Sequence, residues 1–392
     1  MTRAEAASSS VRRTSKVKFL KRNIGRIVPT ALVSVILFAW FARPPFSWTF
    51  GLLMLVGAFG ALVTDARYAS RRIFSLIPVL LIVSFVVFSL MSSLPGDPAL
   101  TILGAGATAE SIAQLNQELG FDQPFFNRYG NWMGDVIVGD LGTSRILRED
   151  VADGISRSIT PTLQLMAYSL ILAVLIAVPA GMYSGYKNGT RQDRVISYTM
   201  LGFLAIPNFV LALVLVLFLA VGGVTIFGID IGFRWLPAAR YVPIGAGWSD
   251  HLRHMLLPSL SLAMGQAAVF MRLLRSDMIG TLRLPFIDLA RSKGLKTGKI
   301  LFRHALRPSS FTLITVMGLS VGALIGGALI TEYVFTLPGV GSYIFTGIFK
   351  RDFVAVQGAV LVISTLFVVV LTFSDLVYLA LDPRLKHQSK AA

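Results

Sequence analysis

Apolar residues fall into long runs separated by short polar, Gly- and Pro-rich stretches. A run of about 20 residues can cross roughly 30 Å of hydrocarbon as a helix. Such runs lie at 24–42, 48–64, 73–94, 163–184, 196–222, 257–276, 310–333 and 353–377, which predicts eight spans. The second, near the lower length limit, also fits a tilted or re-entrant segment. Residues 1–70 read as a basic tail plus a two-helix hairpin turned by "RPPFSW", residues 71–386 as the core, and residues 387–392 as a short tail. The loop 95–160 opens with "LPGDPA" and carries "LGFDQPFFNRYGNWMGDVIVGDLGTS". Its aromatics and turn residues predict short amphipathic helices near the membrane surface. Shorter loops on the same side are expected at 223–256 and 334–352.

Composition agrees with a membrane protein. The 392 residues are 54% hydrophobic and 14% charged, with mean hydropathy +0.70, whereas a soluble domain is about a quarter charged. The net charge of +16 concentrates in "VRRTSKVKFLKR", Arg71 and Arg72, "GYKNGTRQDR", residues 285–308 and "PRLKHQSK". These patches alternate with the spans as the positive-inside rule requires of cytoplasmic loops, which places both termini in the cytoplasm and accounts for the charge better than nucleic-acid binding does. The run "IVPTALVSVILFAWFA" has no small-residue cleavage site after it and reads as a span rather than a signal. The chain has no Cys, hence no disulfide or thiol ligand.

The segment 285–308, "PFIDLARSKGLKTGKILFRHALRP", is the anomaly. A charge at mid-bilayer costs about 2.5–3.5 kcal/mol, so a stretch holding Arg291, Lys293, Lys296, Lys299, Arg303 and Arg307 cannot span. Pro285 suits a helix N1 position. At helical spacing Phe286, Ile287, Leu289, Ala290 and Gly294 share one face, with Asp288, Arg291 and Ser292 opposite. Gly294 offers a left-handed cap, and a second short helix is expected from about Thr297 to near Pro308. A small apolar face rimmed by charge suits a groove on another protein. The alternative is a solvated loop resting on lipid.

"DLARSKG" followed by "HALRP" resembles the cytoplasmic EAA loop of permease subunits in binding-protein-dependent ABC importers. The resemblance puts Asp288 at the acidic position, Leu289 and Ala290 at the next two, Gly294 at the Gly, and His304, Ala305 and Leu306 in the distal part. Asp for the usual Glu, and Leu289 for the first Ala, are departures. "RRIFSLIPVLLIVSFVVFSLMSSLPGDPA", "LPSLSLAMGQAAVFMRLLRSDMI", "TEYVFTLPGVGSYIF" and "RDFVAVQG" are similar to the dipeptide/oligopeptide (and nickel) permease group, over about 70–386. The resemblance implies an all-α polytopic fold of the type I importer class with about six core spans; the hairpin at 24–64 is extra. It implies that Asp288, Leu289, Ala290, Gly294, Leu295, His304 and Leu306 couple the chain to ATPase subunits. It also implies four kinds of neighbour: a second permease (a paralogue in a heterodimer), two ATP-binding subunits, an extracytoplasmic solute-binding protein and the lipid of a prokaryotic plasma membrane. No nucleic acid is expected.

Other motifs mark what the chain lacks. The nearest phosphate-binding match, Gly294 to Lys299, is one residue short and followed by Ile300. ATP and Mg are therefore expected on partner subunits; no cofactor or metal is expected here and the chain is not an enzyme. Ion-coupled carriers place ionisable groups near the midplane, whereas Glu332, Arg272, Arg275 and Asp375 fall near span ends. His251 and His254 in an external loop read as surface residues, G-x-S-x-G is absent, and the sequon at 188–190 falls in a cytoplasmic loop. Pro207 and Asn208 interrupt a span and, with Glu332, are candidates for the translocation path; packing is the competing reading. Val321–Ala328, "VGALIGGA", would let helices approach closely. "TLPGVG", with Leu337, Pro338, Gly339 and Gly341, is a candidate external gate or binding-protein contact. The expected activity is alternating-access import of di- or oligopeptides. Another peptide-like solute or a nickel chelate, an ion-coupled carrier and a membrane scaffold are the alternatives.

Overall fold

The computed structural model describes residues 76–93, 98–104, 106–222, 224–226, 229–231 and 235–381. The basic tail, the hairpin at 24–64, Arg71 and Arg72, and the tail 387–392 lie outside them. The first described helix, α1 (Leu76–Ser93), is apolar apart from Ser84, Ser89, Ser92 and Ser93. Then come α2 (Pro98–Leu103), α3 (Ala109–Glu118), α4 (Phe125–Ile137) and a small hairpin of β1 (Thr143–Ser144) and β2 (Glu149–Asp150). Thr108 caps α3, its Oγ1 accepting the Ser111 N–H at 3.2 Å. The expected amphipathic helix is α4, and its apolar face is seated on α1. Phe125 and Tyr129 meet Phe85 and Phe88 edge-on at 5.4–5.8 Å, and Tyr129 shares a 2.9 Å hydrogen bond with Ser84.

Helix α5 (Val151–Tyr186) begins well before the expected 163, so the external loop ends earlier than position 160. Asp150 caps it by accepting the Ala152 N–H at 2.8 Å. Pro161 and Pro179 lie inside it without ending it.

The expected single span at 196–222 is instead a bent pair, α6 (Arg191–Ala205) and α7 (Asn208–Val216, continued by a π turn Leu217–Val221), angled 103° apart. Pro207 has no N–H to donate, and it drives Ile206 to an extended ψ of 123°. A short β3 (Val224–Ile226)–β4 (Ile229–Ile231) hairpin and a 3₁₀ turn (Ile244–Ala246) precede α8 (Trp248–Thr281). Next are α9 (Pro285–Ser292), α10 (Thr297–Val334), α11 (Val340–Phe349) and α12 (Phe353–Leu381).

Among the described residues α5, α8, α10 and α12 are long and apolar enough to cross a membrane; the bent pair adds a fifth crossing if it is one span, and α1 is shorter. The all-helical membrane architecture is therefore present, with short hairpins only as loop ornaments. Two buried clusters run through it. One gathers Ile155, Leu165, Leu257, Leu324, Leu337 and Ile344; the other gathers Phe270, Met271, Met278, Ile287, Ala290 and Ile300.

Helices α5 and α8 join both. A Cβ added at Gly181 would lie 3.0 Å from the Met271 carbonyl oxygen, and one at Gly185 2.8 Å from Met278 Cβ. One helical turn apart, the two glycines bring the α8 backbone against α5. Gly185→Val is expected to cost about 1–3 kcal/mol by overpacking, seen as a lower thermal midpoint in detergent. An unchanged midpoint would show that this contact is not limiting.

Candidate functional site

Helix α9 forms at the expected place, with Pro285 at N1 and Gly294 at φ +72°. It ends in a Schellman motif: the Gly294 N–H donates to Arg291 O at 2.9 Å and the Leu295 N–H to Ala290 O at 3.3 Å. The predicted single face splits in two. Ile287 and Ala290 are buried in the cluster shared with α5 and α8. Phe286 and Leu289 remain 42% and 57% exposed. The apolar arc is about 160° wide at 100° per residue, broader than one packing contact uses. Asp288 stays at the rim with Arg291, 3.1 Å away and also exposed, a pair worth at most about 1 kcal/mol.

Leu295 and Leu306 are half-buried against the same cluster, Ala305 is buried and His304 half-buried. Beside them Tyr186, Leu282, Arg291, Leu295, Ile300 and Leu301 line a cavity of about 260 Å³. The second helix does not stop at Pro308. A π turn over Ile300–Ala305 precedes it, and Pro308 falls in the first turn of the α-helical stretch Leu306–Val334, where a missing N–H is tolerated. The basic segment is thus continuous with a membrane-crossing helix.

Sequence reasoning missed the clamp above this corner. Asp193, 2% exposed, receives two bonds from Arg275 of α8, Nε to Oδ1 and Nη2 to Oδ2, both 2.6 Å. Ser184 Oγ and the Gly189 N–H also donate to its carboxylate, and Arg275 bonds Asn188 at 3.1 Å. One carboxylate therefore ties together the end of α5, the start of α6 and the inner part of α8. The signal was a lone acid in "NGTRQDR" paired with an Arg at the inner end of an apolar run.

Pro207 is exposed at the bend and Asn208 half-buried. The Asn208 amide lies against Gly265 of α8 and Gly327 of α10, where added Cβ atoms would sit 3.3 and 3.2 Å from it. The glycine run thus allows close approach at Gly327, and at Gly322, where Phe367 is 2.8 Å from an added Cβ; Gly326 faces open space.

Glu332 is fully buried near the C-terminal end of α10. Its Oε2 accepts the Gly341 N–H at 2.7 Å, and Thr162 Oγ1 accepts the neighbouring Val340 N–H at 3.0 Å. Both satisfy free donors at the start of α11. Of the "TLPGVG" candidates, Pro338 is exposed while Leu337, Gly339 and Gly341 are buried. Tyr343 follows on α11, and burial pushes its phenol above the ordinary range.

His251 is not a surface residue. Helix α8 starts at Trp248, so His251 lies inside it, fully buried. Its ring nitrogens meet Val242 O at 2.6 Å and Tyr168 Oη at 3.0 Å. Tyr241, bonded to Gln164 at 2.8 Å, has its pKa raised by burial. The outer loop is thereby pinned to α5. Among the described residues no group of three or more His, Asp or Glu is placed to hold a metal.

Residues 177–387 match the family described as binding-protein-dependent transport system inner membrane component, and residues 66–147 match its N-terminal companion. The chain belongs to this family. The N-terminal match takes in α1 to α4; the longer one runs from within α5 through α9 to α12 and beyond. Residues 1–65 precede both. The chain is 35% identical over 340 residues to the dipeptide transport system permease protein DppB of Alkalihalophilus pseudofirmus, covering 82% of this chain and 99% of that protein. A probable peptide ABC transporter permease of Sinorhizobium fredii is 32% identical over 321 residues, and the glutathione transport system permease protein GsiC of Escherichia coli K12 is 32% identical over 322. Each match covers 82% of this chain and 99% of the relative. Family members are transport components of the inner membrane, and several apolar helices place this chain there too.

Asp193→Asn and Arg275→Gln should each lower stability by about 1–3 kcal/mol, and the double variant should cost less than their sum; thermal unfolding of the three proteins measures the coupling. Gly339→Ala would place a Cβ 2.2 Å from the Glu332 carboxyl carbon. It should destabilise by about 1–3 kcal/mol, with Glu332→Ala in the same chain relieving part of the loss in the same measurement.

Proposed function

We propose that this chain is the permease subunit of an ATP-driven importer of short peptides. Helix α9 is the part on which two ATPase subunits act. What carries the reading is the division of labour on that helix. Ile287 and Ala290 root it in the core of α5 and α8, while Phe286, Leu289 and Asp288 are left on the surface for another protein. ATP and Mg are bound and hydrolysed by those partners. Closure of the ATPase pair pushes α9, and the rooted helices rock between inward- and outward-open states, the free-energy difference coming from nucleotide bound elsewhere.

Peptide cargo is supported by relatives named for dipeptide, peptide and glutathione transport. A solute-binding protein delivers the cargo on the face carrying α4 and α11, and both termini lie in the cytoplasm. A second permease completes the pathway. In its support, Asp193 is the buried residue of α6, and Val195, Tyr198 and Leu201 are exposed. Pro207 and Asn208 at the bend, and Pro338 outside, are the proposed path and binding-protein contacts, with Glu332 holding the outer turn.

Phe286→Ala/Leu289→Ala removes two anchors worth about 1.5–3 kcal/mol each when buried. ATPase co-purification and uptake of labelled dipeptide should fall by about a hundredfold or more while the inserted amount is unchanged. Gly294→Pro, which cannot hold φ +72°, should act alike. Undiminished uptake in both would remove the coupling role.

A further inference from the structure

The described cavity richest in side-chain chemistry lies outside the coupling machinery. Between the outer end of α1, the α3–α4 turn, α4 and the start of α12 is a space of about 730 Å³, the size of a small-ligand site. Four wall residues come from one face of α4: Arg128, Trp132 and Asp135, spaced four and three apart, and Asn131, which donates to Gln123 at 3.3 Å.

Arg128 is half-buried and stacks over Phe88 and Phe121, with its guanidinium carbon 5.8 and 5.4 Å from the ring centroids. It has no carboxylate partner among the described residues, and burial draws its pKa below the ordinary value. The Trp132 indole N–H is also buried with no acceptor. At the exposed mouth Asp122 and Asp135 form no ion pair among the described residues, whereas Glu118 is bound to Arg145 at 2.9 Å. The free carboxylates are too dispersed to hold a metal.

An anion-seeking group, a central donor and a cation-seeking group thus follow one another along the helix. Seven residues at about 1.5 Å each separate Arg128 from Asp135 by about 10 Å, the reach of about three extended peptide residues. We propose that this cavity is an outer binding site for short zwitterionic peptides of about three residues. The C-terminal carboxylate sits on Arg128, a backbone carbonyl on the Trp132 N–H, and the N-terminal ammonium at Asp135. The choice of peptide rests on the import reading above; the polarity and length come from the cavity.

The test is calorimetric titration of the full chain in nanodiscs with trialanine, its C-terminal amide and its N-acetyl form. Trialanine should bind saturably, one per chain. Amidation should weaken binding about tenfold or more, and acetylation less, because the mouth carboxylates are better solvated. R128Q should bind trialanine and its amide alike. No saturable binding, equal affinity of wild type for trialanine and its amide, or continued discrimination by R128Q would each overturn the site. The ligand series on wild type decides even if R128Q fails to fold. Uptake of labelled trialanine by the assembled importer in proteoliposomes runs in parallel. Uptake without binding to this chain removes the outer site and leaves peptide import intact. Binding without uptake keeps the site and removes peptide import.

Discussion

Lipid gives one apolar helix no reason to prefer another, since acyl chains are as apolar as Leu. The α5–α8 contact must therefore come from geometry, and the two buried clusters of the described residues both draw on it. Gly181 and Gly185 bring the two backbones together, and the Asp193–Arg275 pair locks their inner ends to the start of α6. A charge pair so enclosed is a poor source of net stability but a good specifier of one arrangement, because either partner alone is costly to leave buried. Three helix ends are thereby fixed relative to each other.

Because Ile287, Ala290 and Ile300 belong to the same cluster as Phe270 and Met278, α9 cannot be displaced without moving α5 and α8. Gly294, at φ +72°, makes the break between α9 and α10, and a π turn over Ile300–Ala305 interrupts the early part of α10. At the C-terminal end of α10 the α11 turn combines packing of Leu337, Val340 and Ile344 in the first cluster with hydrogen bonds from Gly341 to Glu332 and from Val340 to Thr162, and α4 rests on aromatic edges of α1.

The sequence was most legible where hydrophobic periodicity and charge acted together. The core spans, the position of α9 and the role of Gly294 all followed from run lengths, the cost of buried Lys and Arg, and the need for a left-handed residue. Proline was the main source of error. Pro308 looked like a stop, yet the helix runs through it after a π turn, while Pro207 broke a span that length alone had made continuous. Side-chain pairing was the other blind spot. Asp193 and Arg275 lie far apart in sequence, and His251 looked like a loop residue because the start of α8 at Trp248 carries no strong cap. The two-way use of α9 was also hidden, since periodicity shows how wide an apolar arc is but not how neighbours share it.

Glu332 carries a consequence for biosynthesis. Its carboxylate emerges near the C-terminal end of α10 before the residues that satisfy it, Gly341 and the rest of the α11 turn, have left the ribosome. During that interval it faces water or lipid headgroups. It becomes enclosed only when α11 folds back against the tip of α5, where Thr162 takes the adjoining N–H.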